Sequence, residues 1–363
     1  MLPSLGNRAR RGAAALGFLS RARCAVGRLD AVGIVTRRIT AHGATIGGGR
    51  LGKDRPVDFA LMTEPQIGGT YDEILAAALW AEQAGMVSFA RSDHYYSSRD
   101  PRPDATDAFA TLAGLARETS RIRLAVLVSP ITFRHPAVIA KNAATIDQMS
   151  AGRFDLGIGT GWMELEHDAF GFPFPPWAER FERLEEALAY LEAAFGPGPG
   201  TLSGRYYELD ADVRPKPADL RIIVGGSGAH RTPALAGAHA DEYNHFIASP
   251  EEIAPKITRM REAATAAGRD PDAVTVSVMG PVLTGKDEAS YRRRLESAAA
   301  ARDRDPENLE RSWSDHGIPV GPPARVREAL AALTEIGVTK FYVQHLDLAD
   351  LSGLDETLEA LAG

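Results

Sequence analysis

Residues 121–168 read RIRLAVLVSPITFRHPAVIAKNAATIDQMSAGRFDLGIGTGWMELEHD. The run IRLAVLV (122–128) is close to continuously apolar, as expected of a strand buried on both faces. It leads into a turn at Pro130. A helix opens at Pro136, where proline fits because the first-turn N–H has no helical partner. RFDLGI (153–158) is a second strand, and its end is lined by Gly157, Gly159 and Gly161. Strand, helix and glycine-lined strand end make one βαβ unit with an edge open to a ligand.

Outward from this unit the same rhythm repeats. Upstream, VDFALM (57–62) is a strand leaving through Thr63 and Glu64, and 71–84 has helical spacing at Ile74, Leu75, Ala78 and Leu79 before Gly85. Residues 87–90 form a strand leaving through Ser92, Asp93 and His94, and 105–119 a helix. Downstream, a Pro- and aromatic-rich insertion (170–177) precedes a helix over 178–195, which carries Phe181, Leu184, Leu188 and Leu191 on one face. A small hairpin is expected around Gly204, then strands at 221–224, 242–246, 273–283 and 340–343. Helices are expected at 230–239, 251–267, 287–302, 323–336 and 354–361, with a charged insertion before residue 315. Eight strands separated by helices predict parallel pairing and a (β/α)8 barrel, a fold of roughly 250 residues or more; a doubly wound open sheet is the rival.

In a barrel, ligand-binding residues sit at the C-terminal strand ends. That rule singles out Thr63, Glu64, Asp93, His94, residues 129–132 and 159–162, Gly225 to Gly228, Asn244, His245, Gln344 and His345.

The chain of 363 residues has 44% hydrophobic and 25% charged residues, ordinary for a globular enzyme. A net charge of −7 argues against a nucleic-acid partner, and no apolar run approaches the roughly 18 residues of a membrane span. The single cysteine, Cys24, excludes an intrachain disulfide and a thiolate metal site, so the expected compartment is the cytoplasm. Residues 1–55 differ from the rest: Arg8, Arg10, Arg11, Arg21, Arg23 and Arg28 all precede the first acidic residue, Asp30. A transit peptide has that composition, whereas the secretory reading is weakened by the short AAALGFL run. The segment reads as an N-terminal extension or an upstream start contributing no functional residue, and residues 56–363 as the barrel.

Several features carry competing chemistry. Gly157, Gly159 and Gly161 fit contact with a cofactor, a strand end where small residues let the chain turn closely, or the first motif of S-adenosylmethionine methyltransferases. Trp162 to His167 and the prolines at 173, 175 and 176 do not open the crossover helix that last fold needs, and G-x-G-x-x-G is absent. Gly225-Gly226-Ser227-Gly228 before a helix suits a phosphate, through backbone N–H groups and the Ser227 hydroxyl, or is a flexible loop. His94 fits an acid/base group near a reacting centre, or a loop histidine bonded to backbone. His135 before a proline reads as structural, and its neighbour Arg134 as able to meet an anion. Glu164, Glu166 and His167 lack metal spacing and read as a solvated face, so no metal is expected; no G-x-S-x-G elbow is present.

The ordered motifs SDHYYS (92–97), TSRIRLAVLVSPITFRHPAVIAKNAATID (119–147), SAGRFDLGIGTGW (150–162), ERFERLEEAL (179–188), RPKP (214–217), IIVGGSG (222–228) and HADEYN (239–244) resemble the bacterial-luciferase-like family, most of all its branch using the deazaflavin coenzyme F420. The resemblance spans residues 57–345. It implies a (β/α)8 barrel that binds F420 or reduced FMN at its mouth, and a homodimer. It places His94 beside the reactive ring and Leu127-Val128 at a strand-end bulge that in many F420-binding relatives holds a non-proline cis peptide. It assigns Gly159, Thr160 and Gly161 to the fourth-strand contact, and Gly225, Gly226 and Ser227 to the phosphate loop. One departure stands out. In the sugar-phosphate dehydrogenase branch an acid follows GTG, and here that residue is Trp162, an apolar stacking wall suited to a hydrophobic or aromatic substrate. The resemblance therefore implies hydride transfer between F420 and an organic substrate, with an FMN-dependent monooxygenase as the alternative.

Overall fold

The computed structural model describes residues 49–51, 55–97 and 105–362. The rest of the expected extension and the insertion at 101–104 lie outside the described residues. In chain order the strands are β1 (Gly49–Leu51), β2 (Arg55–Thr63), β3 (Ser88–Arg91), β4 (Arg123–Pro130), β5 (Phe154–Gly159), β6 (Gly200–Ser203), β7 (Glu208–Ala211), β8 (Arg221–Gly225), β9 (Glu242–Phe246), β10 (Thr275–Pro281) and β11 (Lys340–His345). The helices are α1 (Tyr71–Gln83), α2 (Ala108–Glu118), α3 (Pro136–Ser150), α4 (Glu164–Phe170), α5 (Trp177–Phe195), α6 (Arg231–His239), α7 (Pro250–Ala266), α8 (Glu288–Ala300), α9 (Pro306–Asp315), α10 (Pro323–Glu335) and α11 (Ser352–Ala362).

Local chemistry sets many of these boundaries. Thr70 and Glu73 close a capping box on α1, while Asp107, Ser249 and Asp305 cap α2, α7 and α9 with their side-chain oxygens. His135 caps α3 through Nδ1, which accepts from the Ala137 N–H at 3.1 Å, and its ring meets Tyr190 and Tyr207 edge-on, a structural role as expected. Two short helices differ from the sequence reading, α4 and α9, both inside segments expected to be irregular insertions. Among the described residues no helix is long and apolar enough to cross a membrane.

Strands β2, β3, β4, β5, β8, β9, β10 and β11 pair in parallel, and β11 pairs back onto β2, so the sheet closes into an 8-strand barrel. The open-sheet alternative is thereby removed. β1 adds antiparallel to the start of β2, and β6 with β7 makes the expected hairpin. Side chains alternate across the barrel wall. Phe59, Leu61, Leu124, Val126, Phe154, Leu156, Val276 and Val278 face the helices in the main core. Ala60, Met62, Ala90, Ala125, Leu127, Ile223 and Tyr342 form a separate apolar cluster inside the barrel.

Below that cluster the interior is charged. Lys340 Nζ lies 3.0 Å from Glu242 Oε2, Ser277 donates to Glu242 Oε1 at 2.6 Å, and Asn244 Nδ2 donates to Ser277 Oγ at 2.8 Å. Arg123 reaches Asp155 at 2.6 Å. Lys340, Glu242, Ser277, Asn244 and Asp155 are buried and Arg123 partly so, and removing one partner of a buried pair leaves a desolvated charge without compensation. Lys340→Met should therefore destabilise the fold by about 3–5 kcal/mol in urea unfolding, and the double variant with Glu242→Leu should recover most of the loss. Equal instability of the single and double variants would show that the pair is not the unit.

Candidate functional site

The mouth is built first by β4. Its register with β5 shifts between Val126 and Ser129, and the Leu127–Val128 peptide is cis. Val128 turns into the barrel, and the neighbouring strands make room for it with glycines. A Cβ on Gly157 would meet Val128 Cγ1 at 2.9 Å and the Val126 carbonyl at 2.1 Å. One on Gly159 would meet Val128 Cγ2 at 2.9 Å, and one on Gly225 would meet Val128 Cγ1 at 2.7 Å. Three glycines from two strands thus surround one valine, leaving a small apolar platform of Leu127 and Val128.

Beside this platform stands His94, directly after β3. Its Nδ1 lies 2.8 Å from Glu166 Oε1. A carboxylate only accepts, so Nδ1 carries the proton. Glu166 Oε2 accepts from the Tyr95 N–H at 3.2 Å, so both carboxylate oxygens are engaged. Burial works against the imidazolium, but the hydrogen bond and charge of Glu166, with the charges of Glu64 and Asp93, outweigh it and raise the His94 pKa above the ordinary histidine value.

The solvated face expected at Glu164, Glu166 and His167 holds for Glu164, which is exposed, and is corrected for the other two: Glu166 is 1% exposed and His167 fully buried. They belong to α4, which folds back over the mouth. His167 Nδ1 donates to the Met163 carbonyl at 2.7 Å, and Thr132 Oγ1 lies 2.6 Å from its Nε2. The ring packs on Phe133 and Phe174. Periodicity missed α4 because it spans only seven residues. Its signals were the acidic first turn and the stop at Gly171, whose φ of 71° is the left-handed conformation glycine tolerates.

Arg180, at the start of α5, was also missed. It is buried, donates to the Gly161 carbonyl at 2.5 Å, and lies over the rings of Phe174 and Trp177 at 3.9 and 3.8 Å. It pins the loop that presents Trp162. Trp162 is 63% exposed, and its ring meets that of His94 edge-on at 5.5 Å.

The other residues at the strand ends divide. Glu64 accepts from Gln66 at 2.7 Å and from Gln344 at 2.8 Å, and Ser92 donates to Gln66 at 2.9 Å, so these four share one rim. His245 instead turns outward, where Lys256 of α7 donates to its Nε2 at 2.8 Å; burial, then the Lys256 charge, lowers its pKa. His345 is tied to its own loop through the carbonyl of Asp347 at 2.6 Å. Ser227 is exposed before α6, while the Gly226 N–H donates to the Asn244 carbonyl at 3.0 Å and is not free for a ligand.

Arg134 meets an anion, as its sequence position allowed, but the anion is internal. It forks onto Asp93, reaches Asp107 and the Tyr95 hydroxyl at 2.5 Å each, and lies over Phe109 at 4.7 Å. Burial disfavours its charge, yet Asp93 raises its pKa further above the usual arginine value. Full burial pushes Asp93 upward, opposed by Arg134 and by Ser129, which donates at 2.7 Å. Arg134→Leu should cost about 3 kcal/mol near pH 8. The missing guanidinium leaves the carboxylate dehydrated and its folded pKa raised further, so the penalty should shrink as pH falls and Asp93 takes up a proton. Urea unfolding at pH 5 and pH 8 checks this; a penalty independent of pH would count against it.

Comparison with known proteins follows from this geometry. The family model described as luciferase-like monooxygenase matches residues 56–340. Pyrimidine monooxygenase RutA of Enterobacter sp. (strain 638) is 30% identical over 205 residues, covering 55% of this chain and 55% of that protein. The chain thus spans about half the length of the curated relatives it matches. Among solved structures, an F420-dependent secondary alcohol dehydrogenase in complex with an F420-acetone adduct matches with a TM-score of 0.71 at 20% identity, covering 85% of this chain and 99% of that one. The FMN-bound oxygenating constituent of 3,6-diketocamphane monooxygenase from Pseudomonas putida matches at 0.65 and 21%, covering 84% and 97%. At these identities the structural matches show the shared fold. The family match runs over most of the closed barrel, and the chain belongs to the luciferase-like monooxygenase family of oxidoreductases.

Proposed function

We propose that this chain is a monooxygenase using reduced FMN and molecular oxygen on a small planar or aromatic substrate. The carrying observation is His94, with Nδ1 held by a buried carboxylate, beside an apolar platform edged by glycines. The residues present fit a tricyclic ring with a phosphate-bearing side chain. Leu127, Val128, Gly159, Thr160 and Gly161 would take the ring. Gly225 and Gly226 shape the loop, whose donors begin at Ser227 because the Gly226 N–H is already used. Bound and reduced, the flavin supplies the electrons for oxygen chemistry.

This chain's residues bind, orient and move a proton. Glu166 takes Nδ1, so Nε2 is the nitrogen His94 offers at the mouth, and its raised pKa favours the proton-donating form. The exposed Trp162 indole is an apolar wall on which a flat substrate stacks. Choosing FMN over F420, which ranked first in the sequence, follows the RutA relatives, which are named monooxygenases. The F420-dependent reading, hydride transfer to or from an organic substrate, keeps support from the secondary alcohol dehydrogenase whose barrel matches at 0.71.

Fluorescence titration with FMN and F420, followed by oxygen uptake with reduced FMN, separates the two. Saturable FMN binding and oxygen uptake support the proposal; binding of F420 alone, without oxygen uptake, transfers the assignment to hydride transfer, and binding of neither removes both. In the active enzyme, His94→Ala should lower turnover by about 10²–10⁴-fold with cofactor affinity little changed. Trp162→Ala should raise KM more than it lowers kcat.

A further inference from the structure

Nothing in the strand-end pattern assigns a role to Glu166, and the distance along the chain from His94 hides the pair. The structure brings them together through the insertion after β5. Glu166 sits on α4 and is 1% exposed, a costly place for a carboxylate unless it is hydrogen-bonded. Its two bonds go to the His94 ring and to the backbone N–H of the next residue, Tyr95, so it grips the strand-end loop at two points. Its own helix is anchored by His167, bonded to Met163 and Thr132, and Arg180 fixes the loop leading into it at Gly161.

The other charged groups facing His94 do not replace it. Asp93, on the same strand end, is held by Arg134 and Ser129. Glu64, beyond β2, is shared by Gln66 and Gln344. The uncharged edge of Trp162 also faces the ring. Among the described residues Glu166 is thus the carboxylate bonded directly to it.

We propose that Glu166 is a positioning residue for His94: it fixes the Nδ1–H tautomer, aims Nε2 at the barrel mouth and stabilises the imidazolium. Its part in turnover rests on the oxidoreductase reading above; the coupling to His94 does not.

The test uses imidazole nitrogen resonances of the full-length, cofactor-free, ¹⁵N-labelled protein, with His94 identified by the signal missing in His94→Ala. In the wild type, His94 should titrate above the ordinary value of about 6.5 and, once neutral, carry its proton on Nδ1. Glu166→Gln retains an oxygen for the Tyr95 N–H but removes the charge, and should lower the midpoint by at least about one unit. A wild-type midpoint at or below the ordinary value, or a neutral ring protonated on Nε2, overturns the proposal; neither readout needs a folded Glu166 variant. An unmoved midpoint in folded Glu166→Gln overturns it equally. With reduced FMN, turnover of Glu166→Gln should fall at least about tenfold with FMN affinity unchanged, and the pH limb of kcat should move with the His94 midpoint. If no cofactor binds, the oxidoreductase reading fails while the resonances still decide the coupling.

Discussion

The mouth of this barrel is organised around one valine. Where β4 loses register with β5, Val128 turns inward among three backbone stretches that have no room for another Cβ. Gly159 and Gly225 are therefore steric consequences of a single side chain, and Gly157 answers first to the Val126 carbonyl and then to the same valine. The same placement gives the interior an apolar ceiling above its charged floor, with Leu127 and Val128 over Ala60, Ala90 and Ala125, and with Lys340, Glu242, Asp155 and Arg123 below. The charged layer is held by mutual pairing.

Around that platform two buried carboxylates flank His94 with unequal effects. Asp93 is matched by the Arg134 guanidinium, which also takes Asp107 and the Tyr95 hydroxyl, so its charge is spent within the wall. Among the described residues Glu166 has no arginine or lysine partner; it is bonded to the histidine ring and to one backbone N–H. The difference bears on which carboxylate acts most directly on the His94 ring. A carboxylate with its own guanidinium contributes little field beyond that pair, whereas one bonded to an imidazole stabilises the imidazolium directly.

Much of this was legible in the sequence, for physical reasons. Strands buried on both faces read as apolar runs, and helices declare themselves through caps and period, so the eight strands and most helices fell within a few residues of their places. The rule of strand C-termini collected Glu64, His94, Trp162 and Gln344 at one mouth. It also collected His245 and His345, because alternation along a strand sends every second residue outward, and a short strand gives no reading of which ones. The glycines were legible as an edge but not as a seat for Val128, since the partner lies on another strand. Glu166 was illegible for a stronger reason. Its short helix has the composition of a solvated face, and the rings that pack there, Phe133 and Phe174 against His167, come from outside α4.

The stretch from Trp162 to Arg180 joins two jobs that chemistry would keep apart. Loops at a barrel mouth shape the substrate pocket, and here the same loop sets the charge of the histidine. The two jobs fall on different residues of one insertion. Glu166, His167 and Arg180 are buried, and the left-handed Gly171 ends α4, so the fold constrains these positions. Trp162, Leu165, Phe170 and Trp177 face solvent, each about half exposed or more. Under the proposed function, changes at the exposed positions re-shape what the mouth accepts while the buried ones hold the proton of His94 in place, so this stretch can vary its substrate without loosening its acid.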